Sequence, residues 1–257
     1  RPAVTTWGGG RAIADESLLL VGFGALVMLL AGFLSGATGF GFSLVSTPLL
    51  LAGGFSLPFV VAMNLSLGLL TRISVAVHLR AHLTPRRVWL LTLGSLPGLV
   101  LGTVALTRLD PAFIRRAAGL VVILAAIGLA RGGAPIPSRT GAPLLAGVAA
   151  GFLGATTSLN GVPPALLMTR ERAAPMSFLA DLALFFILSN GMTLVLLHNR
   201  GAVELASLFP TGALWLPTAL LGNFLGVRLA RRLPERIFRA VALSVIAVSG
   251  FIALIGA

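Results

Sequence analysis

Two ionisable residues stand inside long apolar stretches of this chain: Arg72 in NLSLGLLTRISVAVHLR and Asp181 in SFLADLALFFILSN. A charge at the centre of a membrane helix costs about 2.5–3.5 kcal/mol on insertion scales, so each needs a partner or a wet cavity. The planar donor fork of Arg72 suits an anion. Asp181 is read as a proton-coupling or orienting carboxylate. The alternative, a purely structural salt bridge between the two, stays open. A shift of 117 positions pairs Asn64 with Asp181, so the expected site is pseudo-symmetric, with one neutral and one charged member.

Small polar residues and glycines gather just before each of these segments. They are Thr38, Gly39, Phe40, Gly41 and Ser43 in the first case, with Ser46 and Thr47 behind, and Thr156, Thr157, Ser158, Asn160 and Gly161 in the second. New helix starts near Gly41 and Asn160 are expected to aim unpaired N–H groups and a positive dipole end at an anion. For any single hydroxyl the commoner fate is a bond back to its own helix, so only the cluster carries meaning. The expected substrate-binding set is Thr38, Gly39, Phe40, Gly41, Ser43, Asn64, Arg72, Thr157, Ser158, Asn160 and Gly161. Asn223 beside Gly222 is a further buried polar candidate, with helix contact as the equal alternative.

His78, His82 and His198 match no zinc spacing and fall at segment ends. The chain has no cysteine, which removes thiolate metal sites, disulfides and cysteine nucleophiles. With no Walker loop, Rossmann fingerprint or Ser–His–acid order, the expectation is no metal, no cofactor and no enzyme.

These residues need a membrane scaffold to hold them. The chain is 57% hydrophobic and 10% charged, with a mean hydropathy of +1.01, outside the range of soluble domains. The net charge of +12 comes from arginines that sit mostly in short connections between apolar runs. That pattern is an orientation signal rather than a nucleic-acid surface, and the run from Arg228 to Arg239 also suits anionic lipid heads. Runs near 17–37, 58–79, 88–107, 112–130, 141–157, 176–198, 206–227 and 237–256 are long enough to span. Shorter apolar pieces lie near 41–53 and 159–169.

The centre of this pattern is Leu30–Leu51, LAGFLSGATGFGFSLVSTPLLL, which recurs 115 positions later as LAGVAAGFLGATTSLNGVPPAL. Nine of the twenty-two pairs are identical, Pro48/Pro163 and Ser43/Ser158 among them, which shared composition does not explain. Gly32 and Gly36 are four apart and admit a close helix neighbour. Gly39 and Gly41 allow the backbone to end one helix and begin another within the membrane. Later matches, Pro97/Pro217 and Gly102/Gly222, extend the duplication at a shift of 120. The expected fold is therefore all-α and polytopic, with two internal repeats of four long helices and one short broken helix each. A polar tail covers 1–16 and is not a signal peptide; repeat 1 covers 17–130, a linker 131–141 and repeat 2 142–257.

If the short pieces cross, twelve loop arginines fall on one side and six on the other; if they are re-entrant, the split is ten to eight. The asymmetric count favours crossing, inverted repeats and both termini outside. Paired broken segments in two halves point to a secondary transporter's binding site.

The strings SGATGFGFSLVSTPLLL, GVPPALLM and LGNFLGVRLARRLPERIFRAVALSVIAVSGFIAL resemble the sulfite exporter TauE/SafE family, also called the toluene-sulfonate uptake permeases. The resemblance implies a bacterial inner-membrane transporter, an exporter more than an importer, for sulfite, organosulfonates or related small anions. It points to Gly36, Gly39, Gly41 and Pro48, and to Gly154, Gly161 and Pro163. The expected mechanism is alternating access around a midplane site. The expected partners are a small anion and membrane lipid, without nucleic acid, while proton coupling and a homodimer stay open. Rival readings are an anion channel or facilitator, a transporter of other small carboxylates and, last, a membrane-embedded enzyme.

Overall fold

The computed structural model describes residues 12–108, 120, 141–157, 159–199, 205–234, 236–238, 240, 241, 244 and 251. Among them the helices are α1 (Ala12–Thr38), α2 (Phe42–Ala52), α3 (Leu57–His78), α4 (Pro85–Arg108), α5 (Gly141–Thr157), α6 (Val162–Arg170), α7 (Pro175–Asn199) and α8 (Leu205–Ala230). A short 3₁₀ turn, Arg80–His82, joins α3 to α4. Five helices, α1, α3, α4, α7 and α8, contain a span of 20–25 residues apolar and long enough to cross a membrane. Their outward faces carry large apolar side chains such as Leu26, Trp89, Leu101, Val195 and Phe224. The runs expected at 112–130 and 237–256 lie almost entirely outside the described residues.

Glycine decides how these helices pack. A Cβ on Gly32 would lie 2.3 Å from the Ala219 carbonyl oxygen, and one on Gly36 2.2 Å from that of Asn223. Reciprocally, Gly222 and Gly226 each leave 2.1 Å to the carbonyls of Leu29 and Phe33. The contacts advance together along both chains, so α1 and α8 run parallel, backbone against backbone. In lipid, where apolar burial does not drive helices together, such close approach is the main source of cohesion.

The same clasp is built again between α4 and α5. Gly147 faces the Leu91 carbonyl at 2.3 Å and Gly151 that of Ser95 at 2.1 Å, while Gly94 and Gly98 face Leu144 and Val148 at 2.2 and 2.0 Å. Each α1 residue maps to its α5 counterpart at a shift of 115, and each α8 residue to α4 at 128: Ala219 to Leu91, Asn223 to Ser95, Gly222 to Gly94, Gly226 to Gly98. The packing register of the fourth helix thus differs by eight residues from the shift of 120 at which Pro97 and Gly102 match Pro217 and Gly222. Glycines four apart on both helices let the sequences slide against each other, whereas the carbonyl contacts fix one register.

The two short helices fold back. Gly53, past the end of α2, lies against the Phe23 ring of α1, and Glu171, past the end of α6, meets Arg87 at the start of α4. Between the clasps, α3 packs on α7. One core cluster gathers around Phe178, Leu182 and Phe185 of α7. The other gathers around Met28, Met63 and Trp215, where the Trp215 ring fills the place a side chain at Gly24 would take and its Nε1–H donates to the Val21 carbonyl at 2.9 Å.

Candidate functional site

The chain between α1 and α2 turns on two glycines, Gly39 at φ +84° and Gly41 at φ +91°. Side-chain-bearing residues pay about 1–2 kcal/mol for such left-handed backbone, so the sequence breaks where it must. The residue between them, Phe40, enters the α7 core cluster, and Phe42, just past Gly41, enters the other. A space opens where the chain passes from one cluster to the other.

That space is a cavity of about 40 Å³, walled by both breaks: Phe40, Gly41, Phe42 and Ser43 on one side, Leu159, Asn160, Gly161 and Val162 on the other. Arg72, Asn64 and Gly68 of α3, Ser35 of α1 and Phe186 and Asn190 of α7 complete it. The breaks touch, since a Cβ on Gly161 would come within 2.7 Å of the Phe40 Cβ.

Arg72 is 1% exposed. Its Nη2 donates to the Ser35 carbonyl at 2.8 Å and closely to the Ser35 hydroxyl. The guanidinium carbon sits 5.8 Å from the Phe186 ring centroid, within cation–π range. Its Nη1 is buried and has no partner among the described residues. The acids whose side chains are described, Glu171 and Asp181, both pair with Arg87 instead. A buried cation lacking a counter-ion is costly, and Arg72 lines a cavity where an anion would offset that cost.

The α2 start adds donors. Among the described residues no acceptor is found for the main-chain N–H of Phe42 or Ser43, two of the first-turn groups a helix leaves open. The second start is different. The first turn of α6 is Val162-Pro163-Pro164, so two of its residues have no N–H to give. The N–H of Val162 is committed to the Leu159 carbonyl at 3.3 Å. The expectation of matching main-chain donors at both starts is corrected accordingly: the second start contributes a side chain. Asn160 Nδ2 donates to Asn190 Oδ1 at 2.8 Å and approaches Ser189 Oγ at 3.3 Å.

The expected site residues divide. Phe40, Gly41, Ser43, Asn64, Arg72, Asn160 and Gly161 line the cavity. Asn64 Nδ2 donates to Thr47 Oγ1 at 2.9 Å, leaving its buried Oδ1 unpaired. Thr38 and Gly39 do not line it. The Thr38 hydroxyl is spent on the Leu34 and Phe40 carbonyls, closing the end of α1, and Gly39 packs against Leu179 and Leu182. Ser158 and the side chain of Thr157 lie outside the described residues.

Asp181 is also apart from the cavity. Its Oδ1 accepts from the Thr84 N–H at 2.7 Å and its Oδ2 from Arg87 Nη1 at 2.6 Å, which fastens the start of α4 to α7. Arg87 Nη2 reaches Glu171 Oε2 at 2.9 Å as well, off axis for a hydrogen bond. An Arg72–Asp181 bridge is therefore absent. The residues that sequence reasoning passed over are Ser35, Asn190 and Phe186. Asn190 carried a signal, as an amide within an apolar run.

Apolar spans long enough to cross, gathered around a buried arginine at a cavity, are those of a multi-pass membrane protein. The chain belongs to the sulfite exporter TauE/SafE family, whose model matches residues 24–252. Neither a curated protein nor a solved structure matches it.

Proposed function

We propose that this protein is a secondary transporter which carries a small sulfur oxyanion, sulfite in preference to bulkier organosulfonates, through the cavity between the two breaks. The observation that carries this reading is Arg72, which lines the cavity, is buried and, among the described residues, has no carboxylate partner and one guanidinium nitrogen unpaired. The Phe42 and Ser43 N–H groups stand ready for further oxygens, a donor set suited to an oxyanion. A single water needs roughly 10–15 Å³ in this measure, so about 40 Å³ favours an ion of a few heavy atoms over one bearing an aromatic ring.

In this reading the two halves are inverted repeats that rock about the cavity, and the direction is export, as the family's description suggests. The parallel clasps and the return of α2 to Phe23 and of Glu171 to Arg87 support a path in which the short helices double back. Every long segment then reverses, both termini share one side of a bacterial inner membrane, and most loop arginines face the cytoplasm. Asp181, held by Thr84 and Arg87, keeps α4 against α7 and does not meet the anion.

The test is flux and binding in proteoliposomes with sulfite, a methyl sulfonate and acetate. Replacing a charged donor by a neutral one removes roughly 1.5–3 kcal/mol, so Arg72→Gln should weaken sulfite binding about ten- to hundredfold while the protein still unfolds cooperatively. Unchanged affinity would remove Arg72 from the site. Saturating flux with accumulation against a gradient is expected; its absence identifies a facilitator.

A further inference from the structure

A second, smaller cavity adjoins the first and shares Asn160 with it. Its volume is about 10 Å³, room for one water or one small ion. Its polar lining comes from Ser95 of α4, Asn160, and Ser189 and Thr193 of α7, all at least nine-tenths buried. Ala150 and Gly151, in the last turns of α5, form the opposite wall.

The hydroxyl protons of Ser95 and Thr193 in this lining are already assigned. The Ser95 hydroxyl donates to the Thr92 carbonyl at 2.7 Å, and that of Thr193 to the Ser189 carbonyl at 2.8 Å. The Asn160 amide donates to Asn190 and faces Ser189. What remains at the cavity is the lone pairs of Ser95 and Thr193 and the hydroxyl of Ser189, beside Gly154 in the last turn of a helix that stops at Thr157, its negative end. Acceptors at a negative dipole end suit a hard cation and repel an anion.

The clasp register shows what occupies the corresponding place in the other half. Ala150 and Gly151 map at 115 to Ser35 and Gly36, and Ser95 maps at 128 to Asn223. There, at the end of α1, the Arg72 guanidinium is bonded to Ser35. The first half closes its negative helix end with a cation of its own. In the second half no basic residue among those described lines the equivalent place.

We infer that the cavity bounded by Ser95, Asn160, Ser189 and Thr193 binds a small monovalent cation of sodium size, the exchangeable counterpart of Arg72. Asn160, which lines both cavities, then links cation occupancy to the anion site, so the inference supplies the driving ion for the transport reading on which that link rests. Cation binding itself does not depend on that reading.

The experiment is thermal unfolding of the purified protein in detergent, with sodium, potassium or choline chloride at constant ionic strength and no anionic substrate. Sodium should raise Tm saturably by a few degrees, as ligand linkage requires, and potassium and choline should not. Thr193→Val removes a ligand at nearly constant volume, and Ser95→Ala removes another from a different helix. Each should cut the sodium response at least tenfold in apparent affinity while leaving Tm in choline within a few degrees of the parent. Equal shifts with all three salts, or a sodium response intact in both variants, would overturn the inference. A sodium response lost in the variants, in a protein that binds no sulfite, would leave the cation site standing and remove the anion reading instead.

Discussion

The two clasps are alike and the two breaks they hold are not. Corresponding glycine-to-carbonyl approaches in α1–α8 and α4–α5 agree to about 0.1 Å. Yet α1 stops at Thr38 whereas α5 runs to Thr157, four residues beyond the counterpart of Thr38, which is Leu153. Gly39 turns the chain at φ +84°, but its identical partner Gly154 stays in the helix and leaves room for Asn160, whose Cβ would lie 2.9 Å from a Cβ there. The delay also moves an identical proline. Pro48 sits inside α2, where its ring opposes the helix, while Pro163 falls in the first turn of α6, where its missing N–H costs little. Two matching clasps thus hold a donor-rich break on one side and a donor-poor one on the other.

The largest expected effect tests the likeness. Gly36→Val and Gly151→Val each drive a branched side chain into a carbonyl oxygen that even a Cβ would approach to 2.2 and 2.1 Å. Overpacking typically costs 1–3 kcal/mol, and backbone cannot step aside as a side chain does, so each should lose roughly 3 kcal/mol or more. Thermal unfolding of the two variants should show equal losses within about 1 kcal/mol. Unequal losses would mean that the clasps bear different loads despite their shared geometry.

A smaller effect tests the difference. Ser43→Pro copies onto α2 the chemistry of the second position of α6, removing one open N–H at a first-turn site that tolerates proline. If that donor meets the anion, sulfite binding should weaken by about 1.5–3 kcal/mol, the range for a hydrogen bond to a charged group, with little change in Tm. Isothermal titration against the parent reads this directly. Unchanged binding would confine the anion to Arg72 and dissolve the contrast between the breaks.

Much of this contrast was legible in the residues. Gly32 and Gly36 foretold a close helix neighbour, Gly39 and Gly41 the break, and Arg72 the buried charge, because each is a residue type that its position otherwise disfavours. The second break was harder, since the match of Gly39 with Gly154 suggested a turn at the same place. The position of Gly41, however, is taken by Thr156, and without a second glycine the helix goes on for another turn. The prolines that strip the α6 start of donors are visible in the sequence too, since a helix start offers only the N–H groups its first residues carry. Asp181 was not legible: its partners Thr84 and Arg87 lie 97 and 94 residues away, and nothing local says which loop will fold over it. Likewise the fourth-helix register needed the carbonyl contacts, because a stripe of glycines four apart matches itself at several shifts.

The smallest expected effect is Pro164→Ala, the reverse graft. It returns one N–H to the first turn of α6, next to cavity-lining Val162, and relieves no strain, since proline is already tolerated there. If the anion is held from the first break and Arg72, a donor restored on the opposite wall arrives where no acceptor waits for it, and sulfite affinity should change by less than about twofold, or 0.4 kcal/mol. A gain of tenfold would show that the second wall lies within reach of the ion and that its prolines weaken binding. Such weakening has a use in a carrier, which must release its cargo as readily as it takes it up. The measurement therefore separates a second break that is merely structural from one whose missing donors set the affinity.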